Sequence, residues 1–239
     1  MSSALKSLER RARRLIPASL RVPPRVFANM ELRYGHLKTV RLGRPVERGG
    51  EPIPWYTYPA IEYLQQLDFS DADVFEYGSG NSTLFWRSVA KSVAAVEDDE
   101  EWHKRISAQL GQGVEYRLVP RKDDYIQAIA APGRQFDCIV VDGSHRQECA
   151  TAAAPFLRPG GLMILDNSDW YPNTAEFLRG RDLIQIDMHG FGPVNPYTWT
   201  TSLFLDRAFA MKPKGDRQPE YSKCAKRVVH DGPARGTTD

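Results

Sequence analysis

The hydrophobic and polar positions between residues 54 and 206 follow two alternating patterns. Short apolar runs predict buried strands, and segments with apolar positions three or four residues apart predict amphipathic helices. Strands are expected at 74–77, 92–96, 114–119, 136–141, 161–165, 183–188 and 201–205. Helices are expected beside them at 59–67, 82–90, 100–110, 125–131, 147–156 and 174–178.

This alternation of strands and helices predicts the fold class. Strands that are separated by helices pair in parallel, with the helices covering both faces of the sheet. No helical pattern separates 183–188 from 201–205, so these two strands are expected to pair as an antiparallel hairpin. The prediction is a doubly wound α/β domain with a mostly parallel, seven-stranded, Rossmann-like sheet and a closing antiparallel strand.

The regions that flank this pattern differ from it in composition. A short basic helix is expected at 4–16, and Pro17, Pro23 and Pro24 are expected to end helical structure, leaving 25–50 as irregular connecting chain. The tail after Phe209 is rich in Pro, Gly and charge, and is expected to be poorly ordered. The predicted division is a basic extension at 1–50, one domain at 51–209 and a tail at 210–239.

Charge is distributed unevenly along the 239 residues. Residues 1–48 contain 12 Lys and Arg against 3 Asp and Glu, whereas the remainder contains 20 against 27. An acidic body with a basic arm is not typical of a nucleic-acid-binding protein, and no nucleic-acid partner is expected. The arm is expected to be solvated; the alternatives are weak peripheral contact with an acidic membrane or polyanion, or a mitochondrial transit peptide.

Other whole-chain features narrow the compartment. No segment approaches the roughly 20 apolar residues of a membrane span, and the N-terminus lacks the apolar core of a secretory signal. The three cysteines have no Cys-x-x-Cys spacing, so neither a disulfide framework nor a zinc site is expected. Cys138, inside an apolar run, is expected in the core. Together these features indicate a cytoplasmic protein.

The segment 74–83 is the first with identifiable chemistry. A predicted strand runs into Gly78 and Gly80, and a predicted helix opens directly behind them. Glycines let a ligand approach the backbone, and a helix N-terminus attracts an anionic group such as a phosphate or carboxylate. Because a Gly-x-Gly turn alone is weak evidence, the interpretation also depends on Glu97, at the tip of the next strand. An acid there can accept hydrogen bonds from ribose hydroxyls; alternatively, it belongs to a solvated acidic run.

A dinucleotide enzyme would use the same geometry. However, Thr83 occupies the place of the third glycine of the dinucleotide fingerprint. Glu76, just before the loop, would repel a pyrophosphate and suits the positive end of a cofactor instead. An NAD(P)-dependent oxidoreductase and a non-catalytic nucleotide-binding module are kept as alternatives.

The order of the motifs resembles that of class I S-adenosylmethionine-dependent methyltransferases. The similarity covers about 55–206 and rests on Glu-Tyr-Gly-Ser-Gly at 76–80, on Glu97, on the strand and turn at 136–145, and on Leu-Arg-Pro-Gly-Gly at 157–161. It implies that S-adenosylmethionine is the cofactor. The implied contacts are Glu76, Tyr77, Gly78, Ser79, Gly80, Glu97 and Asp142, with Asp123 or Asp124 near adenine. For Asp123 and Asp124 the alternative is an exposed loop.

A second set of polar residues follows strands four and five. Asp142 ends one strand, while Asp166 and Asn167 end the next, so their side chains are expected at one edge of the sheet. Carboxylate and amide oxygens suit Mg²⁺ or another divalent cation, which would lower the pKa of a bound hydroxyl. His145 has a pKa near neutrality and could take the proton.

This second set resembles metal-dependent O-methyltransferases of the catechol, caffeoyl-CoA and macrocin types. The resemblance implies a metal on Asp142, Asp166 and Asn167, with His145 and Asp142 as catalytic residues. The alternatives are that Asp142 caps a turn or contacts the cofactor, that Asp-Asn is ordinary turn chemistry, and that His145 is a surface residue.

Aromatic residues near the predicted strand ends indicate the type of acceptor. They occur at 55–58, 170–171 and 197–199, and could either stack on a ring or sugar or serve as packing. No run combines basic and aromatic residues as a nucleic-acid groove would. The predicted activity is methylation of a hydroxyl on a small molecule or glycan, either with or without a metal; the oligomeric state is left open.

Overall fold

The computed structural model describes residues 17–215 and 218–225. Within them, one seven-stranded sheet has the order β3-β2-β1-β4-β5-β7-β6. The strands are β1 Asp73–Tyr77, β2 Ser92–Glu97, β3 Val114–Leu118, β4 Phe136–Val141, β5 Leu157–Asp166, β6 Ile184–Phe191 and β7 Thr198–Leu205. Strands β1 to β5 pair in parallel, and β7 pairs antiparallel with both β5 and β6.

Helices accompany the strands as the hydrophobic pattern predicts. The α-helices are α1 Ala18–Asn29, α2 His36–Leu42, α3 Tyr58–Leu64, α4 Asn81–Val89, α5 Glu100–Leu110, α6 Lys122–Gln127, α7 Arg146–Ala153 and α8 Pro172–Arg179. A π-helical turn covers Met30–Tyr34, and 3-10 turns cover Ala128–Ala130 and Ala154–Phe156. Among the described residues, no helix is both long enough and apolar enough to cross a membrane.

The core lies on both faces of the sheet because successive side chains of a strand point to opposite sides. In β1, Val74 belongs to one apolar cluster, while Phe75 and Tyr77 belong to the other. Cys138 of β4 is fully buried in the first cluster, as predicted. The predicted fold class, including the antiparallel closing hairpin, is confirmed.

The N-terminal region differs from the sequence prediction. Residues 25–50 are not purely irregular, because α1, the π-helical turn and α2 occupy much of 18–42. Pro23 and Pro24 lie inside α1 and do not end it. Proline removes a backbone donor but has a φ angle compatible with a helix, and α1 buries none of its residues, so water can bond the carbonyls that lose a donor. The helix predicted at 4–16 lies outside the described residues.

Part of the predicted tail contacts the domain. The Lys214 amide donates to the Gln66 carbonyl at 2.7 Å, and the Asp68 amide donates to the Lys212 carbonyl at 2.9 Å. Farther along, the Lys223 ammonium lies 2.6 Å from the Glu47 carboxylate. Residues 210–215 and 218–225 therefore cover the edge formed by α3 and the segment after it, and the rest of the tail lies outside the described residues.

Candidate active site

The glycine loop joins β1 to α4 at the carboxyl edge of the sheet. Gly78 has a left-handed backbone (φ +88°), and a Cβ there would lie 2.9 Å from the backbone of Gly143. The Asp142 amide also donates to the Tyr77 carbonyl at 3.1 Å, which binds the tips of β1 and β4 together. Both the turn and this close approach require glycine at 78.

Glu76 stabilises the loop from beneath. It is fully buried, and its Oε2 accepts a 2.5 Å hydrogen bond from the Thr83 hydroxyl, which in turn accepts the Gly80 amide at 3.0 Å. Burial, together with the smaller effect of the charges of Asp142 and Glu97, raises the pKa of Glu76 to about 8 although the Ser82 and Thr83 hydroxyls oppose the shift. Tyr77 is also fully buried, so these two predicted cofactor contacts support the loop from the core.

Glu97 ends β2 beside the loop, as the sequence predicts. Its Oε2 accepts a 2.5 Å hydrogen bond from the Ser79 hydroxyl, and its Oε1 accepts the amides of Asp98 and Asp99 at 3.0 and 3.2 Å. Burial raises the pKa of this carboxyl. A ribose diol at Glu97 would replace the Ser79 hydroxyl as donor to Oε2 while the two amides kept Oε1 in place.

A cavity of about 340 Å³ connects the glycine loop with the tips of β4 and β5. Ser79–Ser82 line one end, and Asp142, Asp166 and Asn167 line the other. The structure therefore brings Ser79 and Gly80 of the first predicted set to the same cavity as Asp142, Asp166 and Asn167 of the second, and Glu97 contacts the cavity lining through Ser79. Its aromatic lining consists of Trp55, Trp102, Trp170, Tyr197 and Trp199.

Trp102 was not singled out in the sequence. Its indole Nε1 donates to the Ser79 carbonyl at 2.7 Å, which places the ring against the glycine loop. The local signal is the helix start: Asp99 caps α5 by accepting the Trp102 amide, so Trp102 is held in the first turn of the helix that follows Glu97. Tyr56 and Tyr58, by contrast, are core residues.

Besides Glu76, Tyr77, Gly78 and Glu97, which lie in, beneath or beside the loop, three more predicted site residues do not line the cavity. Asp123 and Asp124 are exposed in the first turn of α6, and Asp124 pairs with Arg121 at 3.4 Å. His145 precedes α7 in a left-handed conformation (φ 53°), with its ring centre 6.5 Å from that of Tyr125. Their predicted roles at adenine and as a base gain no support from this placement.

The acids at the tips of β4 and β5 are Asp142, which is partly buried, and Asp166, which is buried. Oδ1 of Asp166 accepts hydrogen bonds from the Trp199 indole at 3.0 Å and the Thr201 hydroxyl at 2.5 Å. Burial raises the pKa of Asp166 well above its usual value, and the charge of Asp142 raises it further. Burial raises the pKa of Asp142 to about 6, although Arg146 opposes the shift.

The oxygens predicted to bind a metal already have a cationic partner. The Arg146 guanidinium donates to Oδ1 of Asp142 and to Oδ1 of Asn167, both at 2.9 Å, and to the Asp166 carbonyl. Among the described residues, no group of three or more His, Cys, Asp or Glu could hold a metal ion. As arranged, the predicted ligands do not fit a divalent cation.

A protein-family model matches the central part of the chain. Residues 75–168, from β1 to just past β5, match the family model described as a methyltransferase domain. No curated protein sequence matches the chain.

Three similar solved structures are methyltransferases. The N-methyltransferase NodS from Bradyrhizobium japonicum WM9 is 10% identical, with 61% of this chain and 92% of that chain covered and a TM-score of 0.46. An rRNA methylase from Streptococcus thermophilus is 16% identical, with 62% of this chain and 95% of that chain covered and a TM-score of 0.46. The O-methyltransferase TomG from Streptomyces achromogenes is 20% identical, with 62% of this chain and 76% of that chain covered and a TM-score of 0.48. Residues 75–168 thus match a methyltransferase domain, and the sheet order and the glycine loop are those expected of the class I, S-adenosylmethionine-dependent fold.

Proposed function

We propose that this domain transfers the methyl group of S-adenosylmethionine to a hydroxyl oxygen of a small molecule or saccharide. The observation that carries the proposal is the single cavity that joins the glycine loop to the acidic tips of β4 and β5. One end suits a nucleoside with an amino-acid arm, and the other holds carboxylates suited to a hydroxyl. Methyl transfer depends mainly on aligning two such partners.

The cofactor end would be held by three features. Glu97 offers carboxylate oxygens to the ribose hydroxyls. Gly80 leaves the backbone unobstructed, since even a Cβ there would meet no atom closer than 3.8 Å. The N-terminus of α4, at Asn81 and Ser82, offers backbone N–H groups to the methionyl carboxylate. When bound, the sulfonium supplies an activated methyl group.

Asp142 is the base that the cavity offers to an acceptor hydroxyl. It lines the cavity, whereas His145 does not. A pKa raised by burial makes its carboxylate a better proton acceptor than an exposed aspartate. In the proposed step the hydroxyl proton passes to Asp142 as the oxygen gains the methyl group. No part is assigned to Mg²⁺, because Arg146 occupies the oxygens that the metal would need.

The acceptor class follows from the cavity walls. Four indole rings and one phenol line a cavity of about 340 Å³, which is the size of a small-molecule site. Flat aromatic walls stack on aromatic rings or on the apolar faces of sugars. A phenol or a saccharide of one or two rings fits these walls, whereas a nucleic acid would need a longer basic groove.

Calorimetry followed by a turnover assay tests the function. We expect S-adenosylhomocysteine to bind and NAD to give no heat of binding. Methyl-labelled S-adenosylmethionine is then offered with phenols, saccharides and amines, and label is expected in the hydroxyl compounds. Binding of NAD alone would favour an oxidoreductase. Binding of S-adenosylhomocysteine without transfer of label to any acceptor would favour a non-catalytic module. Label that appears only in amines would refute the assignment of a hydroxyl acceptor.

We also propose that the N-terminal region makes peripheral contact with anionic membrane surfaces. Eight large apolar side chains of residues 18–42 are exposed, and Leu20 and Phe27 of α1 are the most exposed at 68% and 76%. Arg21 and Arg25 belong to the same helix. An exposed apolar stripe with basic residues is typical of helices that lie in a membrane interface.

Co-sedimentation with vesicles tests this contact. The full chain is expected to sediment with vesicles that contain anionic lipid and not with neutral vesicles. Replacing Leu20 and Phe27 with Ser should weaken the association at least several-fold. Absence of sedimentation by the intact chain would refute the proposal without affecting the methyltransferase activity.

A further inference from the structure

The head group of Arg146 is completely hydrogen-bonded. Its five N–H groups have five acceptors at the tips of β4 and β5. Nε donates to the Gly143 carbonyl at 3.1 Å. The terminal nitrogen Nη1 donates to Oδ1 of Asn167 at 2.9 Å and to the Asp166 carbonyl. The other terminal nitrogen, Nη2, donates to Oδ1 of Asp142 at 2.9 Å and to the Asp142 carbonyl at 3.2 Å. No N–H remains for a substrate, so the side chain acts on the site by holding it.

The chain places this arginine by a local turn. Arg146 is the first residue of α7 and lies four residues after Asp142, with left-handed His145 just before it. Its guanidinium lies over the Tyr171 ring at 4.9 Å, and only 11% of its side chain is exposed. A cation that is buried, stacked and fully bonded has one preferred geometry.

The acceptors of Arg146 include the oxygens that a metal would use. Divalent cations need oxygen lone pairs directed at one point, and here those of Asp142 and Asn167 are directed at the guanidinium. A second positive charge within a few ångströms would also be repelled strongly in a buried site. Arg146 therefore competes with a metal both for ligands and for space.

We propose that Arg146 is the built-in cation of this site, replacing the divalent metal and excluding it. It is a positioning residue: it joins the tips of β4 and β5 and orients the Asp142 carboxylate at the cavity wall. The proposal concerns the cation between these strands, and it holds whichever acceptor the enzyme methylates.

Manganese titration, followed by electron paramagnetic resonance, tests the proposal without an activity assay. The wild-type chain is expected to bind no Mn²⁺ at this site. Arg146→Ala removes the guanidinium but leaves the oxygens of Asp142, Asp166 and Asn167, so it should gain a site with a Kd on the order of 10⁻³ M or tighter. Arg146→Lys keeps a positive charge and should gain none.

Controls locate the ion and keep the test independent of folding. The double variant Arg146→Ala with Asp142→Asn should lose the gained Mn²⁺ signal. If thermal melting shows that Arg146→Ala is unfolded, Arg146→Gln replaces it, since it keeps most of the side-chain length without the charge. Arg158→Ala is the matched control, because Arg158 contacts Asp73 and Asp137 at the opposite end of the sheet and its loss should create no site here.

Two results would overturn the proposal. One is Mn²⁺ binding by the wild-type chain that Asp142→Asn abolishes, since the guanidinium would then yield to the metal. The other is a folded Arg146→Ala or Arg146→Gln chain that gains no Mn²⁺ site. S-adenosylhomocysteine calorimetry on the same samples separates these failures from a failure of the methyltransferase assignment.

Discussion

Two pairs of acids lie at the same edge of the sheet and are stabilised in different ways. Glu76 and Glu97, beside the glycine loop, accept hydrogen bonds from hydroxyls and backbone amides, and within the described part of the chain neither forms a salt bridge. Asp142, farther along the edge, pairs its carboxylate with the Arg146 guanidinium, which also donates to the backbone carbonyl of Asp166. The Asp166 carboxylate itself accepts the Trp199 indole and the Thr201 hydroxyl. Hydroxyl and amide donors leave the first pair open to a polar ligand. The arginine makes the Asp142 carboxylate and the backbone at Asp166 part of the protein framework.

This difference assigns separate tasks to the two ends of the cavity. The Ser79 hydroxyl at Glu97 can be replaced by another hydroxyl of similar geometry at small cost, since one hydrogen bond is exchanged for another. The Arg146 contacts cannot be exchanged in this way, because removal of one partner leaves a buried charge without compensation. The loop end is therefore suited to binding and release, and the strand tips to fixed positioning.

The largest expected effect is on catalysis at the strand tips, where Arg146 fixes Asp142. Asp142→Asn retains the shape and an acceptor for Arg146 but removes the proposed base, so kcat should fall at least about 100-fold while S-adenosylhomocysteine affinity changes little. Steady-state kinetics with the acceptor found in the labelling assay, together with calorimetry, measures both values. Asp137→Asn, at the opposite end of β4, should retain kcat within about twofold. Unchanged kcat in Asp142→Asn would remove the base assignment.

The second-largest expected effect is on cofactor affinity at the loop end of the cavity. Glu97→Ala should weaken S-adenosylhomocysteine binding at least about tenfold, because both ribose hydroxyls lose their acceptor; tenfold corresponds to about 1.4 kcal/mol. Calorimetry gives the two affinities. Glu100→Ala, an exposed acid in the first turn of α5, is the control and should bind as the wild type does. Equal affinity of both variants would exclude Glu97 from the ribose site.

The buried acid beneath the loop gives a third effect, on stability. Glu76 has a pKa of about 8 in the fold against an ordinary 4.5, so folding favours its protonated form. Its contribution to the unfolding free energy is full below pH 4.5 and is lost as the pH rises through 8. Glu76→Gln cannot ionise, so relative to wild type it should gain stability on the order of several kcal/mol between pH 5 and 9.

Urea unfolding of both proteins at the two pH values measures this effect. The difference between variant and wild type cancels the titrations that the two share. A difference that does not change with pH would show that Glu76 keeps its charge in the fold, stabilised by Thr83 and its neighbours. The comparison of the two acid pairs would then need revision, because the loop end would also contain a buried charge, that of Glu76.

The smallest effect concerns the indole that contacts the loop. Trp102→Phe keeps an aromatic ring but loses the Nε1 hydrogen bond to the Ser79 carbonyl, so S-adenosylhomocysteine affinity should fall about two- to tenfold. Trp170→Phe, at the acceptor end, should leave that affinity unchanged. If Trp170→Phe weakened cofactor binding more than Trp102→Phe, the assignment of the two cavity ends would be reversed.

The sequence by itself determined the order of strands and helices, the glycine loop and the position of Glu97. Each depends on local patterns: apolar periodicity, turn residues, and the rule that parallel strands present their carboxyl ends at one edge. For that reason the predicted meeting of Asp142, Asp166 and Asn167 is also found.

The tertiary structure alone decided what these residues contact. Arg146 precedes the helix predicted at 147–156 and was not singled out in the sequence, and only the fold places its five donors between two strands. Trp102 reaches the loop and His145 lies outside the cavity for the same reason. A contact between side chains from different elements depends on how backbones pack in three dimensions, and no local pattern of residues encodes that packing.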